Sequence, residues 1–320
     1  MFKSKTKYTW EGWDSSGRES WVFNVKHPCE LMGVHAKLID KELEKSEKIE
    51  YCIYAPRVSS TSTPFGLKSE ESSCGICVTD NRFIISKNRH IKEHKPRLDS
   101  INFKDILYLN FGGVMLLSWF SITYICEGLL KQLPIIFSSN GRHHFEKAIR
   151  SYKKYLPVIN ADNFGLDSFT AASFIYKIAD NFHKNYLKSL ISVDERCVLT
   201  FFCSYVLSKF KRKKNIFRRT KEILYVSDKA TFLLTNKALM VVRNNRQSAI
   251  EAATDVLCIP LGKIKTVSLS EKLLNKENIY VLEINFINGE TDLLFELIPY
   301  YNESISGLKT IETFLKKMRN

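Results

Sequence analysis

Hydrophobic and polar positions alternate over much of this chain, and the alternation recurs in its second half. Residues 78–85, VTDNRFII, have a counterpart 156 positions later at 234–241, LTNKALMV. In both segments an apolar residue and a threonine end one run, polar residues follow, and an apolar run resumes. Alternation interrupted by a short polar turn is typical of an antiparallel hairpin. The pattern therefore predicts the same hairpin in two copies of a repeat.

Later segments continue the repeat in the same order, each with the character of a strand. The matching segments are 101–106 with 259–264, 118–125 with 280–287, and 133–137 with 291–297. Asn288 and Gly289 form a strong hairpin signal between the last two strands of the second copy, and Glu127 and Gly128 supply the turn in the first.

An amphipathic helix is predicted at the end of each copy, because apolar residues recur there at intervals of three and four. These residues are Phe145, Ile149, Tyr152 and Leu156 in the first copy, and Ile305, Leu308, Ile311, Phe314 and Leu315 in the second. Helical segments at 39–48 and 174–190 precede the two sets of strands. We therefore expect an α+β protein with domains at 41–157 and 191–320, joined by a linker and helix at 158–190.

The arrangement resembles the pleckstrin homology (PH) superfold, in particular its bacterial PH-like and GRAM-like branch. The resemblance rests on residues 78–85 and on the step between two isoleucines at 101–106 and 259–264. The second copy departs from the pattern at Ala238, where an arginine is expected. The resemblance implies two antiparallel β-sandwich or barrel domains, each closed by a C-terminal helix. It also implies a binding module and not an enzyme.

The first 40 residues fit neither copy and carry four aromatic side chains in a polar segment: Trp10, Trp13, Trp21 and Phe23. Residues 21–25, WVFNV, have β character, so we expect them to dock on the first domain as an extra strand. A protein-binding surface is the alternative.

Composition is that of a folded protein: 320 residues, 44% hydrophobic and 26% charged. The eight cysteines lie mostly in apolar runs, which suits reduced and buried thiols. No apolar segment follows the first lysines, so we do not expect a secretory signal. The longest apolar stretch, 111–137, is interrupted by Glu127, Lys131 and Pro134. Buried strands therefore explain it better than a membrane-spanning helix, which needs roughly 20 apolar residues. We therefore expect a cytoplasmic protein.

Charge is spread unevenly, although the net value is +14. Residues 208–221, SKFKRKKNIFRRTK, contain no acidic residue, whereas the matching connection at 57–73 has acidic and basic residues in balance. The eight cations are Lys209, Lys211, Arg212, Lys213, Lys214, Arg218, Arg219 and Lys221. The repeat predicts that this basic segment is the loop between the first two strands of the second copy.

The PH resemblance implies that this connection contacts phosphates and lipid headgroups, and its charge suits an anionic membrane. Phe210, Ile216 and Phe217 lie among the cations, where apolar side chains can enter the interface. Nucleic acid is the alternative ligand, because cations interleaved with aromatic residues also suit phosphate contacts and base stacking. A solvated loop without a ligand is the third interpretation.

Residues 74–94 reproduce the ligand spacing of a zinc finger, with candidate ligands Cys74, Cys77, His90 and His94. However, the repeat places both cysteines on one strand, where residues three apart point to opposite faces. The positions of the finger's small core hold Asn81 and Lys87. Two buried strand cysteines are the favoured interpretation, and a zinc site would accompany the nucleic-acid alternative.

No nucleophile, phosphate-loop or metalloprotease pattern surrounds any of the seven histidines. We therefore expect no catalytic residues, no metal, no cofactor and no small-molecule substrate. The sequence predicts an adaptor that binds a protein partner, an anionic membrane surface, or both. Such a protein would lie in the cytoplasm or at the membrane periphery.

Overall fold

The computed structural model is an α+β structure of mostly antiparallel sheets. It describes residues 21–59, 70–88, 96–114, 117–160, 167–170, 178, 180–192, 194–212, 223–245, 253–274, 277–287, 291–299 and 302–318. The α-helices within these ranges are α1 (Val34–Glu42), α2 (Arg142–Lys154), α3 (Asn181–Leu190) and α4 (Asn302–Lys317).

The helix that ends each copy buries the face predicted from its periodicity. In α2 the buried side chains include Phe145, Ala148, Ile149 and Tyr152, at intervals of three and four residues. In α4 the fully buried side chains are Leu308, Ile311, Phe314 and Leu315. The amphipathic prediction is therefore confirmed for both helices.

The first half of the chain contains ten described strands. They are β1 (Phe23–Val25), β2 (Ile49–Ala55), β3 (Val58–Ser59), β4 (Glu70–Glu71), β5 (Cys74–Thr79), β6 (Arg82–Lys87), β7 (Arg97–Asn102), β8 (Ile106–Val114), β9 (Leu117–Cys126) and β10 (Leu129–Ser138). Glu127 and Gly128 join β9 to β10 with φ values of 54° and 71°. Two positive φ values are the geometry of a tight hairpin turn, as predicted here.

The second half of the chain contains eight described strands. They are β11 (Phe169–Thr170), β12 (Arg196–Arg212), β13 (Ile223–Thr235), β14 (Ala238–Asn245), β15 (Ala253–Pro260), β16 (Ile264–Leu274), β17 (Glu277–Phe286) and β18 (Thr291–Pro299). β17 and β18 pair antiparallel, and the predicted turn residues Asn288 and Gly289 lie outside the described residues. A 3₁₀ turn stands at the same place in each copy: Phe103–Asp105 before β8 and Leu261–Lys263 before β16.

The described strands form three sheets. The smallest contains β3 and β4, and a five-stranded sheet has the order β1-β2-β5-β6-β7. β1 pairs antiparallel with β2, with Phe23 opposite Tyr54, so the extra strand expected near the N-terminus is confirmed over Phe23–Val25. Trp21 is 59% exposed, while Trp10 and Trp13 lie outside the described residues.

The largest sheet takes strands from both copies, in the order β10-β9-β8-β15-β14-β13-β12-β18-β17-β16, with β11 beside β12. The seven strands β12 to β18 are contiguous in this order, but their two ends, β15 and β16, do not pair with each other. The predicted barrel is therefore wrong for the described strands. The physical reason is that the outer edge of β15 is hydrogen-bonded to β8.

The chain divides into two compact units that each draw on separate stretches of sequence. The first unit consists of the described residues within Met1–Asp105, Leu116–Trp119 and Pro134–Tyr155, and the second of those within Ile106–Met115, Phe120–Leu133 and Leu156–Asn320. One core of the first unit collects buried side chains from β1, α1, β2, β5 and β6, among them Ile39 and Cys77. The core of the second unit joins β8 and β12 to β18 with α4.

Candidate functional site

The basic segment begins inside a strand, which corrects the prediction of a loop from residue 208 onward. β12 continues to Arg212, so Lys209, Phe210, Lys211 and Arg212 belong to the sheet. On one side Phe210 pairs with Ile223 of β13, and on the other Arg212 pairs with Thr291 of β18. β18 pairs along the whole of this stretch and β13 pairs as far as Phe210, so the strand continues beyond its apolar pattern because neighbouring strands satisfy its backbone groups.

The rest of the basic segment follows the last described residue of β12. Lys213, Lys214, Ile216, Phe217, Arg218, Arg219 and Lys221 lie outside the described residues. The final described pair of the β12–β13 hairpin is Phe210 with Ile223. In the first copy the equivalent connection contains the short strands β3 and β4, in which Val58 pairs with Glu71.

The two cysteines of the zinc-finger spacing lie on β5, as the alternation predicted. Both are buried, with Cys74 2% and Cys77 0% exposed. Cys77 pairs with Cys52 across the sheet and belongs to the apolar core of the first unit. A hydrogen bond with Cys52, together with burial, raises the pKa of the Cys77 thiol, so Cys77 is held as a neutral thiol. His90 and His94 lie outside the described residues.

A threonine organises the β5–β6 hairpin of the first copy. The Thr79 hydroxyl accepts hydrogen bonds from the backbone N–H groups of Asn81 and Arg82, at 3.3 and 3.1 Å. The acceptors within reach of its single proton are Oδ1 of Asn81 at 2.9 Å, and Oε1 of Glu47 and the Arg82 carbonyl at 3.2 Å. The Arg82 guanidinium contacts the same carboxylate at 2.6 Å through both Nε and Nη2, and this hydrogen bonding lowers the pKa of Glu47.

The second copy repeats this network with different charged residues. The Thr235 hydroxyl accepts from the backbone N–H groups of Lys237 and Ala238, at 3.2 and 3.0 Å, and donates to Oε1 of Glu195 at 2.6 Å. Ala238 stands where the first copy has Arg82. The cation is instead Lys237, whose side chain is 1% exposed and lies 2.7 Å from Asp194. The network therefore depends on the threonine and glutamate, which both copies have.

Two buried histidines occupy equivalent places, and sequence reasoning missed both. His35 on α1 is 2% exposed and lies 3.0 Å from the hydroxyls of Ser86 and Ser73. His183 on α3 is 0% exposed and lies 2.8 Å from the Thr231 hydroxyl and 3.0 Å from Oδ1 of Asn244. The missed signal was spacing, because the histidines are 148 positions apart, as are Glu47 and Glu195.

Burial governs the charge of both histidines. It lowers the pKa of His35 to about 4, against an opposing hydrogen bond from Ser86. It also lowers the pKa of His183, where the hydrogen bond to Asn244 opposes the change. Both imidazoles are therefore neutral near pH 7 and serve as hydrogen-bonded core groups.

A buried charge cluster lies where β8 of the first copy meets β15 of the second. Nε of Arg243 donates to Oδ1 of Asp255 at 3.1 Å, and both residues are 1% exposed. Nδ2 of Asn110 on β8 donates to Oδ2 of the same aspartate at 3.0 Å. Because a buried carboxylate needs its hydrogen-bond partners, this contact disfavours any other register of β8 on β15.

Within the described ranges, no cluster of three or more histidine, cysteine or acidic side chains has the arrangement of a metal site. No described helix combines the length and apolar character needed to cross a membrane. The sequence matches no protein-family model and no curated protein. The repeat and the basic segment are thus the features from which a function can be argued.

Proposed function

We propose that the chain is a non-enzymatic adaptor built from two PH-like repeats. Each repeat has the order helix, four strands, 3₁₀ turn, three strands and helix: α1, β2, β5, β6, β7, β8, β9, β10 and α2 in the first, and α3, β12 to β18 and α4 in the second. The shared threonine network supports treating the two series as copies of one unit.

The proposed ligand is an anionic membrane surface, bound by the basic segment at the end of the β12–β13 hairpin. The observation that carries this proposal is the charge of residues 208–221, which hold eight basic residues and no acidic one. Each cation near an anionic membrane contributes about 1 kcal/mol, so a cluster of this size supplies useful affinity.

The backbone arrangement favours binding over a purely solvated segment. Lys209 pairs with β13 on one side and β18 on the other, and Lys211 pairs with β18, so the backbone of both residues is already ordered before a ligand binds. Ile216 and Phe217 provide apolar groups for the interface.

Sedimentation with vesicles tests the proposal. Replacing Lys211, Arg212, Lys213 and Lys214 with glutamine should weaken binding to phosphatidylserine-rich vesicles several hundred-fold at low salt, at about 1 kcal/mol per charge. The loss should shrink as salt rises, because salt screens the attraction. A matched control replaces four exposed lysines on the helices, Lys37, Lys188, Lys309 and Lys317, with glutamine and removes the same net charge.

The control variant should keep most of its vesicle binding. Equal losses in both variants would mean that only the overall charge matters, and unchanged binding in the first variant would refute the proposal. The same proteins titrated with single-stranded and duplex nucleic acid test the alternative ligand. Tight nucleic-acid binding that disappears only in the basic-segment variant would identify a nucleic-acid protein instead.

A further inference from the structure

The contact between β8 and β15 joins two different strand positions of the repeat. β8 is the fifth strand of the first copy, and β15 is the fourth strand of the second. They pair antiparallel from Leu109 opposite Cys258 to Gly113 opposite Thr254. The fold thus already contains one junction between a fourth and a fifth strand.

The other fourth strand and the other fifth strand, which take no part in this junction, lie at sheet edges. β7, the fourth strand of the first copy, ends the five-stranded sheet, and β16, the fifth strand of the second copy, ends the largest sheet. Within the described part of the chain neither has a strand on its outer side. An open edge presents unpaired N–H and C=O groups and is a template for another strand.

From this we propose that the chain associates head to tail with further molecules of the same chain. In this association β7 of one chain pairs antiparallel with β16 of the next chain. The occupant is a second chain because this chain carries both members of the pair, a fourth strand and a fifth strand at sheet edges, and the internal junction of β8 with β15 supplies the register. The two 3₁₀ turns are 158 positions apart, so equivalence places Ser100 opposite Val267 and Leu98 opposite Leu269.

Hydrogen-bond directions agree with this pairing on the β16 side. The Leu269 N–H donates to Oε1 of Glu312 at 2.9 Å and so does not face β17. Because directions alternate along a strand, the N–H groups of Val267 and Glu271 also face the open edge. At the equivalent position of the first copy, Phe111 lies opposite Val256 of β15.

The β7 side follows the same rule. The Phe103 N–H donates to the Asn81 carbonyl at 2.8 Å, toward β6. Alternation then turns the N–H groups of Ser100 and Leu98 toward the open edge. In the second copy the matching hydrogen bond runs from the Leu261 N–H to the Lys237 carbonyl at 3.0 Å. In that copy the equivalent edge, on β15, is the one that pairs with β8.

Glu312 acts as an internal cap on this edge, since its carboxylate takes the donor that a partner strand would use. The incoming β7 must displace this side chain, which then keeps its ion pair with Lys316 at 2.7 Å. The polar character of the edge, where Ser268, Ser270 and Glu271 are exposed, restricts pairing to a matched strand and disfavours indiscriminate aggregation.

Two proline variants test the proposal, because proline removes an edge N–H without touching the inner ladder. Ser100→Pro blocks β7, and Glu271→Pro blocks β16. Each has an alanine control at the same position; Ser100→Ala also loses the 3.0 Å hydrogen bond from Arg82 while keeping the edge N–H. Circular dichroism establishes that each variant is folded.

Sedimentation equilibrium across a wide concentration range is the measurement. The unaltered chain and the alanine controls should associate beyond one chain, into an open series or a ring, since a head-to-tail contact leaves a free edge at each end. Each proline variant alone should remain a single chain. An equimolar mixture of the two should form a dimer and nothing larger, since it offers one open β7 and one open β16. Glu312→Ala should associate at lower concentration than the unaltered chain.

A single chain at every concentration for the unaltered protein would overturn the proposal, as would proline variants that associate like their controls. If a proline variant does not fold, disulfide trapping replaces it. In the proposed register Arg97 lies opposite Ser270, so Arg97→Cys mixed with Ser270→Cys should cross-link between chains. Glu271→Cys, one residue out of register, should cross-link at least tenfold less; equal yields would exclude this pairing.

Discussion

The two copies of the repeat build the same hairpin with unequal electrostatic support. In the first copy Arg82 contacts Glu42, Glu44 and Glu47, and the Glu47 side chain is 2% exposed. In the second copy Lys237 pairs with Asp194, whose side chain is 62% exposed. A threonine and a glutamate are common to both, so the fold requires these two residues and tolerates different cations around them.

Removing each cation should produce the largest difference in stability loss between the two copies. Arg82→Met should cost about 3 kcal/mol of unfolding free energy, because it leaves the Glu47 carboxylate buried without its charged partner. Lys237→Met should cost about 1 kcal/mol, because Asp194 is already solvated and methionine retains the buried stem. Denaturant titration, with hydrogen exchange at β5–β6 and β13–β14 to assign each transition, measures both. Equal costs would show that burial of the partner carboxylate does not matter here.

The buried histidines should make stability depend on pH. The folded-state pKa of His35 is about 4 and its ordinary value is 6.5, so between these values the unfolded chain binds more protons than the folded one. The contribution of neutral His35 to the free energy of unfolding is therefore fully present above pH 6.5. It falls as the pH decreases, and about 3 kcal/mol of it is lost by pH 4. His183 should add a loss of the same sign.

Replacement by glutamine separates this effect from the carboxylates. His35→Gln should flatten the stability curve between pH 6.5 and pH 5, a window above the range in which Glu47, with its lowered pKa, titrates. The control, Asn181→Gln at the exposed start of α3, changes no titratable group and should leave the slope unchanged. A His35 variant with the same pH slope as the unaltered chain would contradict the assignment.

The shared threonines should have smaller and equal effects. Thr79→Val and Thr235→Val keep the side-chain shape and remove the hydroxyl that two backbone N–H groups and a glutamate use, so each should cost about 2 kcal/mol. Thr→Ser at either position retains the hydroxyl and should cost less than about 1 kcal/mol. A loss confined to one copy, measured by the same denaturant titrations, would show that the two networks are not equivalent.

Local patterns foretold the elements well but not the way in which strands combine. Alternation around Thr79 and Thr235 located both hairpins, and helical periodicity located α2 and α4. The basic segment was misplaced by five residues at its start, because no local pattern records that β18 pairs along residues 209–212. His35 and His183 were missed because a lone histidine on a helix carries no local sign of burial, although their equal spacing within the repeat was visible.

Strand and helix positions, the repeat and the concentration of charge at 208–221 were determined by the sequence, because they depend on neighbours a few residues away. The tertiary structure alone decided that β8 pairs with β15, an interaction that joins Asn110 to Asp255 across 145 positions. Strand edges have similar backbone groups everywhere, so the choice of partner depends on which edges are brought together and which buried polar groups are satisfied there. That choice opened the barrel and left β7 and β16 at the edges of their sheets.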